Sequence, residues 1–456
     1  MIAGMSGDSG KTLVSLGLIG LLREDGVEVH AFKKGPDYID AAWLSWASGR
    51  PARNLDTFLM GFDACAASFA QAATSSGLNL IEGNRGIYDG SDTRGTHSSA
   101  ALAKRLEVPV LLVVDATKMT RTAAALVLGC RKLDPEVPFA GVILNRTGGS
   151  RHEKIIREAI EGECGLPVLG VLPRAPAGAF LPARHLGLVT PDEHGRIGEL
   201  RINIAELARG RLDLDSIRSR AAGAPPLARS DLPECGLPDG RGLRIGCLRD
   251  SALSFYYPEN IEILERAGAV LVPVSPLTAM ELPPGLDALY IGGGFPETHG
   301  AALSANQHFL SALRAAARQG TPVYAECGGL MLLSRGILWN GARYPMAGVF
   351  PWDVEVLASP QGHGYVELEV DRPNPFFAPG TVIKGHEFHY SRIAEVNASE
   401  HTACAVRRGT GCGQGRDACI RNNVWASYTH LHALGTPEWA RGLLAAAARH
   451  ASSRLP

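Results

Sequence analysis

The feature that most restricts what this chain can fold into is a glycine-rich run near its start, Gly4-Met-Ser-Gly7-Asp-Ser-Gly10-Lys11-Thr12. It is set between a short apolar stretch and the helix-forming segment Thr12–Glu24. Glycines at such a strand-to-helix turn let backbone N–H groups face inward, and the helix start adds a favourable dipole, so a phosphate is the expected guest. Lys11 is expected to reach the β- and γ-phosphates and Thr12 to hold Mg²⁺, with Gly7 and Gly10 shaping the loop; the nucleotide implied is ATP. The strict Gly-x-x-x-x-Gly-Lys-Ser/Thr spacing is not met, because Met5 stands where the first glycine belongs and Gly4 lies one residue early. Only Met1–Ala3 precede the turn, so the first strand is either short or continued by residues upstream.

Beyond the loop, Leu78–Glu82, Val108–Asp115 and Phe139–Asn145 are short apolar runs rich in β-branched residues, separated by helical patterns such as Ser98–Leu106. Strands apolar on both faces need helices on either side, so the first half is expected to be a doubly wound parallel sheet of the α/β class. Ligands bind at the carboxyl ends of the strands of such sheets. Glu82 ends one of them and is expected to complete the Mg²⁺ site with Thr12 and Asp40, oxygen ligands suiting that ion. The segment Lys33-Lys34-Gly-Pro-Asp37-Tyr38-Ile39-Asp40 reads as a charged loop after another strand, and Asn145 is placed to meet adenine.

At 221–242 the composition turns to Pro, Gly and Ala without a period, which reads as a linker between a domain at 1–220 and a second at 243–456. The second half repeats the α/β order with Leu243–Leu248, Pro258–Ala267, Ala269–Pro273, Ala288–Ile291 and Pro322–Ala325, and becomes strand-rich past Gly336. Within it, Pro322-Val-Tyr-Ala-Glu-Cys327-Gly328-Gly329 reads as a strand, a sharp turn and a helix. That arrangement exposes a nucleophile at a helix start and is expected to lower the thiol pKa. Gly328 and Gly294, the latter in the Gly292-Gly293-Gly294 turn, are the expected oxyanion donors. The base is expected from Tyr428-Thr-His430-Leu-His432, with both histidines on one face of a strand and His430 preferred. A carboxylate two residues after His430 would orient its ring, but that position is His432. The site is then a Cys–His dyad, or its third member lies elsewhere.

Several classes are excluded by composition. Lys+Arg 45 against Asp+Glu 46 leaves a net charge of −1 over 456 residues, which gives no bulk attraction to nucleic acid or an acidic membrane. No apolar run approaches the roughly 18 residues that span a bilayer, and no signal sequence is legible, so a cytoplasmic location is expected. Nine cysteines are too sparse for a disulfide scaffold, and the spacing of Cys404, Cys412 and Cys419 matches no zinc pattern. A phosphate-binding half joined to a thiol glutaminase half implies an amide synthase. A carboxylate resists ammonia until ATP turns it into an acyl phosphate, and L-glutamine supplies the ammonia.

The segments GKT, KKGPDYID, EGNRGIYDG, SFYYPEN, IGGGFPE, AECGGLMLL, GHEFHYSR and ASYTHLH run in one order over nearly the whole chain. Together they resemble the cobyrinic acid a,c-diamide synthases of corrinoid biosynthesis. The resemblance implies a dethiobiotin-synthetase-like P-loop domain followed by a class I glutamine amidotransferase-like domain. It also implies glutamine-driven amidation of the a- and c-acetate carboxylates of a tetrapyrrole with ATP and Mg²⁺, and leaves room for a homodimer. By this likeness Cys327 is the nucleophile and His430 its base, while Asp37, Tyr38, Ile39, Glu82 and Asp89 handle substrate, intermediate or nucleotide. Asn84-Arg85 stands where corrin-type members more often carry an apolar pair, so sirohaem and Ni-sirohydrochlorin are alternative substrates. Cobyric acid synthase and a P-loop ATPase without amide chemistry are the other readings, disfavoured by KKGPDYID with GHEFHYSR and by the glutaminase motifs respectively.

Overall fold

The structure, a computed structural model, describes residues 1–174, 189–226, 232, 236–394 and 401–454. It divides into two compact units, Met1–Thr57 with Gly61–Leu232, and Phe58–Met60 with Pro233–Pro456. Part of the expected linker at 221–242 lies outside the described residues, and its first two residues close the helix Leu214–Ala222.

The first unit is built on strands β1 (Ile2–Gly4), β2 (Val29–Lys34), β3 (Arg53–Leu55), β4 (Leu78–Glu82), β5 (Val110–Asp115), β6 (Phe139–Thr147) and β7 (Val168–Pro173). They form one sheet in the order β3-β2-β4-β1-β5-β6-β7, every neighbouring pair parallel. Crossover helices cover it, as two-faced apolar strands require. Leu112, Val114, Val142 and Leu144 meet Ile156 and Ile160 in one core. Helix α1 (Lys11–Glu24) buries Val14, Leu16, Leu18, Ile19, Leu21 and Leu22, as expected of a helix covered on more than one side. A methyl added at Gly17 would stand 2.9 Å from Cβ of Ala208, so glycine is what lets this helix approach Ile197–Ala208 closely.

The second unit has a parallel centre formed by β8 (Arg244–Leu248), β9 (Val270–Val274), β10 (Ala288–Ile291), β11 (Val323–Glu326) and β20 (Val424–Ser427). An antiparallel wing extends it through β19 (Arg416–Arg421), β18 (Thr402–Arg408), β15 (Gly362–Val370), β16 (Val382–His389) and β21 (His430–Leu431). A separate small sheet holds β12 (Gly336–Trp339), β13 (Ala342–Pro345), β14 (Asp353–Val356) and β17 (Ser391–Ile393). Side chains alternate across the main sheet. Leu289, Ile291, Val323 and Ala325 enter one core, and Ala288, Tyr290 and Tyr324 enter the other with Trp425 and Trp439. Among the described residues no helix is long and apolar enough to cross a membrane.

Candidate functional site

In the first unit the glycine-rich run turns between β1 and α1. A methyl on Gly4 would lie 2.2 Å from Oγ of Ser9, so Gly4 provides the close approach that the displaced pattern had left unexplained. Gly10 caps α1 at φ 91°, a left-handed conformation that glycine adopts without cost, and packs on the Asn145 amide. Asn145 Nδ2 donates to the Ser9 carbonyl at 2.9 Å, which makes this side chain a brace for the loop. Lys11 Nζ donates to the carbonyls of Ser6 (2.9 Å) and Arg85 (2.8 Å) across the mouth of the turn. Burial, then the neighbouring Lys33 charge, pulls its pKa below the usual lysine range. Gly7 sits at the exposed apex.

Strand register brings the carboxylates together, Lys33 standing opposite Glu82 on adjacent strands. Lys33 Nζ lies 2.5 Å from Asp40 and 2.9 Å from Glu82, and Thr12 Oγ1 donates to the same Glu82 oxygen at 2.9 Å. Burial pulls the Lys33 pKa down, but Asp40, Glu82 and Asp37 outweigh it and hold it above the usual lysine range. Thr12, Glu82 and Asp40 are therefore brought together as expected. The charged loop is corrected in one respect: Lys33 and Lys34 belong to the end of β2, where they are buried, and not to the loop that follows it. The other oxygen of Glu82, Oε2, is buried without a hydrogen-bond partner. An oxygen-only donor set with one orphaned carboxylate oxygen suits a hard cation such as Mg²⁺.

Asp37 caps helix α2 (Tyr38–Ser48), accepting from the backbone N–H groups of Ile39 (2.8 Å) and Asp40 (2.9 Å). Burial and the Asp40 charge push its carboxyl up to about 6. Tyr38 opens that helix and Ile39 is buried in it. Asp89 is exposed and accepts from the Gly86 N–H at 2.8 Å, closing the turn after Glu82.

In the second unit Cys327 has φ 45° and ψ −98° between β11 and the helix Gly328–Leu333. This is the strained elbow the sequence suggested. Its N–H donates to Ser427 at the end of β20 (2.7 Å). A methyl on Gly328 would lie 2.8 Å from the Gly294 nitrogen, which shows how closely the two glycine turns approach. A methyl on Gly293 would lie 2.4 Å from Cε1 and 3.1 Å from Nε2 of His430, so the histidine faces the same turn. Cys327, Gly328, Gly294 and His430 therefore converge.

Two expectations are corrected here. The thiol pKa is raised, not lowered: burial dominates and the Glu297 carboxylate adds to it, while the Gly328 N–H opposes them. A six-residue helix start does not offset removal from water. The histidines do not share a strand face either. β20 ends at Ser427, and His430 begins the separate two-residue β21 against β16. His430 Nδ1 lies 3.2 Å from Glu326, whereas His432 lies 3.5 Å from Glu259 and packs on Tyr257. Glu326 went unnoticed in the sequence because it precedes the nucleophile rather than following the base.

Two family models match the chain. Residues 1–189 match the CobQ/CobB/MinD/ParA nucleotide binding domain and residues 244–438 the CobB/CobQ-like glutamine amidotransferase domain. A cobyrinate a,c-diamide synthase of Magnetococcus marinus is 42% identical, over 95% of this chain and 93% of its own. The chain belongs to the cobyrinate a,c-diamide synthase family. Family members from Archaeoglobus fulgidus (39% identical, 97% of this chain and 95% of its own) and Salmonella typhimurium (37%, 98% and 98%) align end to end in the same way. As a cobyrinate a,c-diamide synthase family member, the chain is a glutamine-dependent amide-forming ligase with a nucleotide-binding first domain.

Proposed function

We propose that this protein amidates the a- and c-acetate carboxylates of cobyrinic acid, using ATP and ammonia drawn from L-glutamine, as a step of cobalamin biosynthesis. The observation that carries the reading is similarity spanning both units to relatives that all bear that synthase name.

In the second unit His430 takes the thiol proton of Cys327, and the thiolate attacks the carboxamide carbon of glutamine. Gly294 and Gly328 N–H groups receive the oxyanion. Ammonia leaves with the proton returned by His430, and water cleaves the thioester to glutamate. Burial keeps Cys327 a thiol until substrate arrives, so proton transfer and attack belong to one event.

In the first unit a substrate carboxylate oxygen attacks the γ-phosphorus of ATP and ADP departs. Ammonia then displaces phosphate from the acyl phosphate and leaves the amide. Lys11 neutralises charge on the transferring phosphoryl group. Thr12, Glu82 and Asp40 would hold Mg²⁺, which when bound screens the phosphate oxygens. Gly7 and Gly10 are assigned to the phosphates, Asn145 to adenine beside the loop it braces, and Asp37, Tyr38, Ile39 and Asp89 to substrate and intermediate.

Asn84-Arg85, next to the Lys11 contact, motivates a second reading in which sirohaem or Ni-sirohydrochlorin is amidated by the same chemistry. Mass spectrometry of products after offering cobyrinic acid, sirohydrochlorin, Ni-sirohydrochlorin and sirohaem with ATP, Mg²⁺ and glutamine decides between them. A doubly amidated cobyrinic acid is expected. Amidation confined to a sirohydrochlorin-type macrocycle would overturn the first reading.

A further inference from the structure

A histidine that takes a proton from a thiol through Nε2 must carry its own proton on Nδ1, and that N–H needs an acceptor. The position two residues beyond His430 holds His432, which turns away to Glu259. Among the described residues, the carboxylate recorded against Nδ1 of His430 is that of Glu326, with Oε2 at 3.2 Å. Both side chains are out of water, at 3% and 0% exposure, so the contact is not diluted by solvent.

The backbone accounts for the pairing. β11 and β20 run parallel with Glu326 opposite Ser427. Past Ser427 the chain is turned by Asp417, which accepts from the Tyr428 N–H (3.2 Å) and the Thr429 hydroxyl (2.7 Å), while Ser427 Oγ donates to the Thr429 carbonyl. His430 is thereby delivered to β16 opposite His386, with its ring beside the end of β11. In an extended strand Glu326 and Cys327 would point to opposite faces. The left-handed elbow at Cys327 breaks that alternation, and two sequence neighbours serve one centre.

We infer that Glu326, the residue before the nucleophile, is the positioning residue for His430 and fills the role left vacant where His432 replaces a carboxylate. The inference rests on the glutaminase reading of the Cys327 site. Among the described residues, the titratable groups near the pair include Cys327 at the elbow, Tyr290 and Tyr324 near the Glu326 carboxylate, His386 stacked on the His430 ring at 5.1 Å, and His432 and His363 beyond His386. Burial keeps His386 uncharged, so it does not compete as a counter-ion. Burial raises the Glu326 pKa and the His430 hydrogen bond pulls against that rise, as expected of a carboxylate whose partner becomes an imidazolium.

The test compares full-length wild type, Glu326→Gln and Glu326→Asp in glutamine hydrolysis, in amidation driven by free ammonia, and in iodoacetamide alkylation of Cys327 across the neutral pH range. An amide in place of the carboxylate can hold the wrong tautomer and cannot offset an imidazolium. Glu326→Gln should therefore lower kcat for glutamine by about 10²- to 10⁴-fold, with little change in KM. Ammonia-driven amidation should stay at the wild-type rate, alkylation should slow with its pH profile displaced upward, and Glu326→Asp should recover part of kcat. Glutaminase activity of Glu326→Gln within about twofold of wild type, or a rise in KM alone, would overturn the assignment. So would joint loss of the ammonia-driven reaction, because that marks a role in folding. A wild type that makes amide from ammonia but never hydrolyses glutamine would instead remove the glutaminase reading beneath it.

Discussion

At the scale of single residues, the thiol and the base give the sharpest expectations. Cys327→Ala or Cys327→Ser should abolish glutamine-driven amidation and spare synthesis from high free ammonia, because each removes the nucleophile without touching the phosphate loop. Product formation from glutamine at the wild-type rate would refute the assignment. His430→Ala should lower glutaminase turnover by about 10²- to 10⁴-fold, the usual yield of a positioned base. His432→Ala should cost less turnover and more stability, since it removes a fully buried ring packed on Tyr257 and leaves a cavity. Thermal melting run beside the kinetics separates the two effects, and the opposite ranking of turnover would show that the wrong histidine had been chosen.

Among the elements, helix α2 carries a pH signature through its cap. Folding lifts the Asp37 carboxyl from an unfolded value of about 3.9 to about 6. The stability tied to its protonated form is therefore full below the lower value and lost as pH rises through the upper one. Asp37→Asn keeps a capping oxygen but cannot ionise. Its melting temperature relative to wild type should climb between about pH 4 and about pH 7, while Asp37→Ala should lose about 1 kcal/mol of cap energy. A pH-independent gap between wild type and Asp37→Asn would contradict the buried-carboxylate account. Elements of this kind were legible in the sequence where pattern and chemistry coincided. β4 was read at Leu78–Glu82 as it stands, and the elbow at Cys327 followed from glycines beside an apolar run. What escaped was set by register across strands distant in sequence. Lys33 facing Glu82 depends on how β2 pairs with β4, and Glu326 reaching His430 depends on β20 lying beside β11. The raised thiol pKa is hidden from the sequence for a related reason: helix starts show in a sequence, but depth of burial does not.

For the whole molecule, the two chemistries belong to different units, and variants should separate them. Lys11→Ala should block amidation with glutamine and with ammonia alike, yet leave hydrolysis of glutamine by Cys327 at least partly intact. Amidation assays with each nitrogen source, beside nucleotide affinity, provide the check, and normal ammonia-driven synthesis by this variant would mean that the ATP site lies elsewhere. The joint between β11 and β20 has a further bearing on how the protein is made. His430 and Glu326 are 104 residues apart in sequence, so their meeting is a long-range closure of the kind that forms late in folding. A chain still emerging from the ribosome has its cysteine long before its histidine. A nascent or prematurely terminated polypeptide thus has the thiol without the base that the proposed glutaminase mechanism requires, so turnover by that mechanism waits for the finished chain.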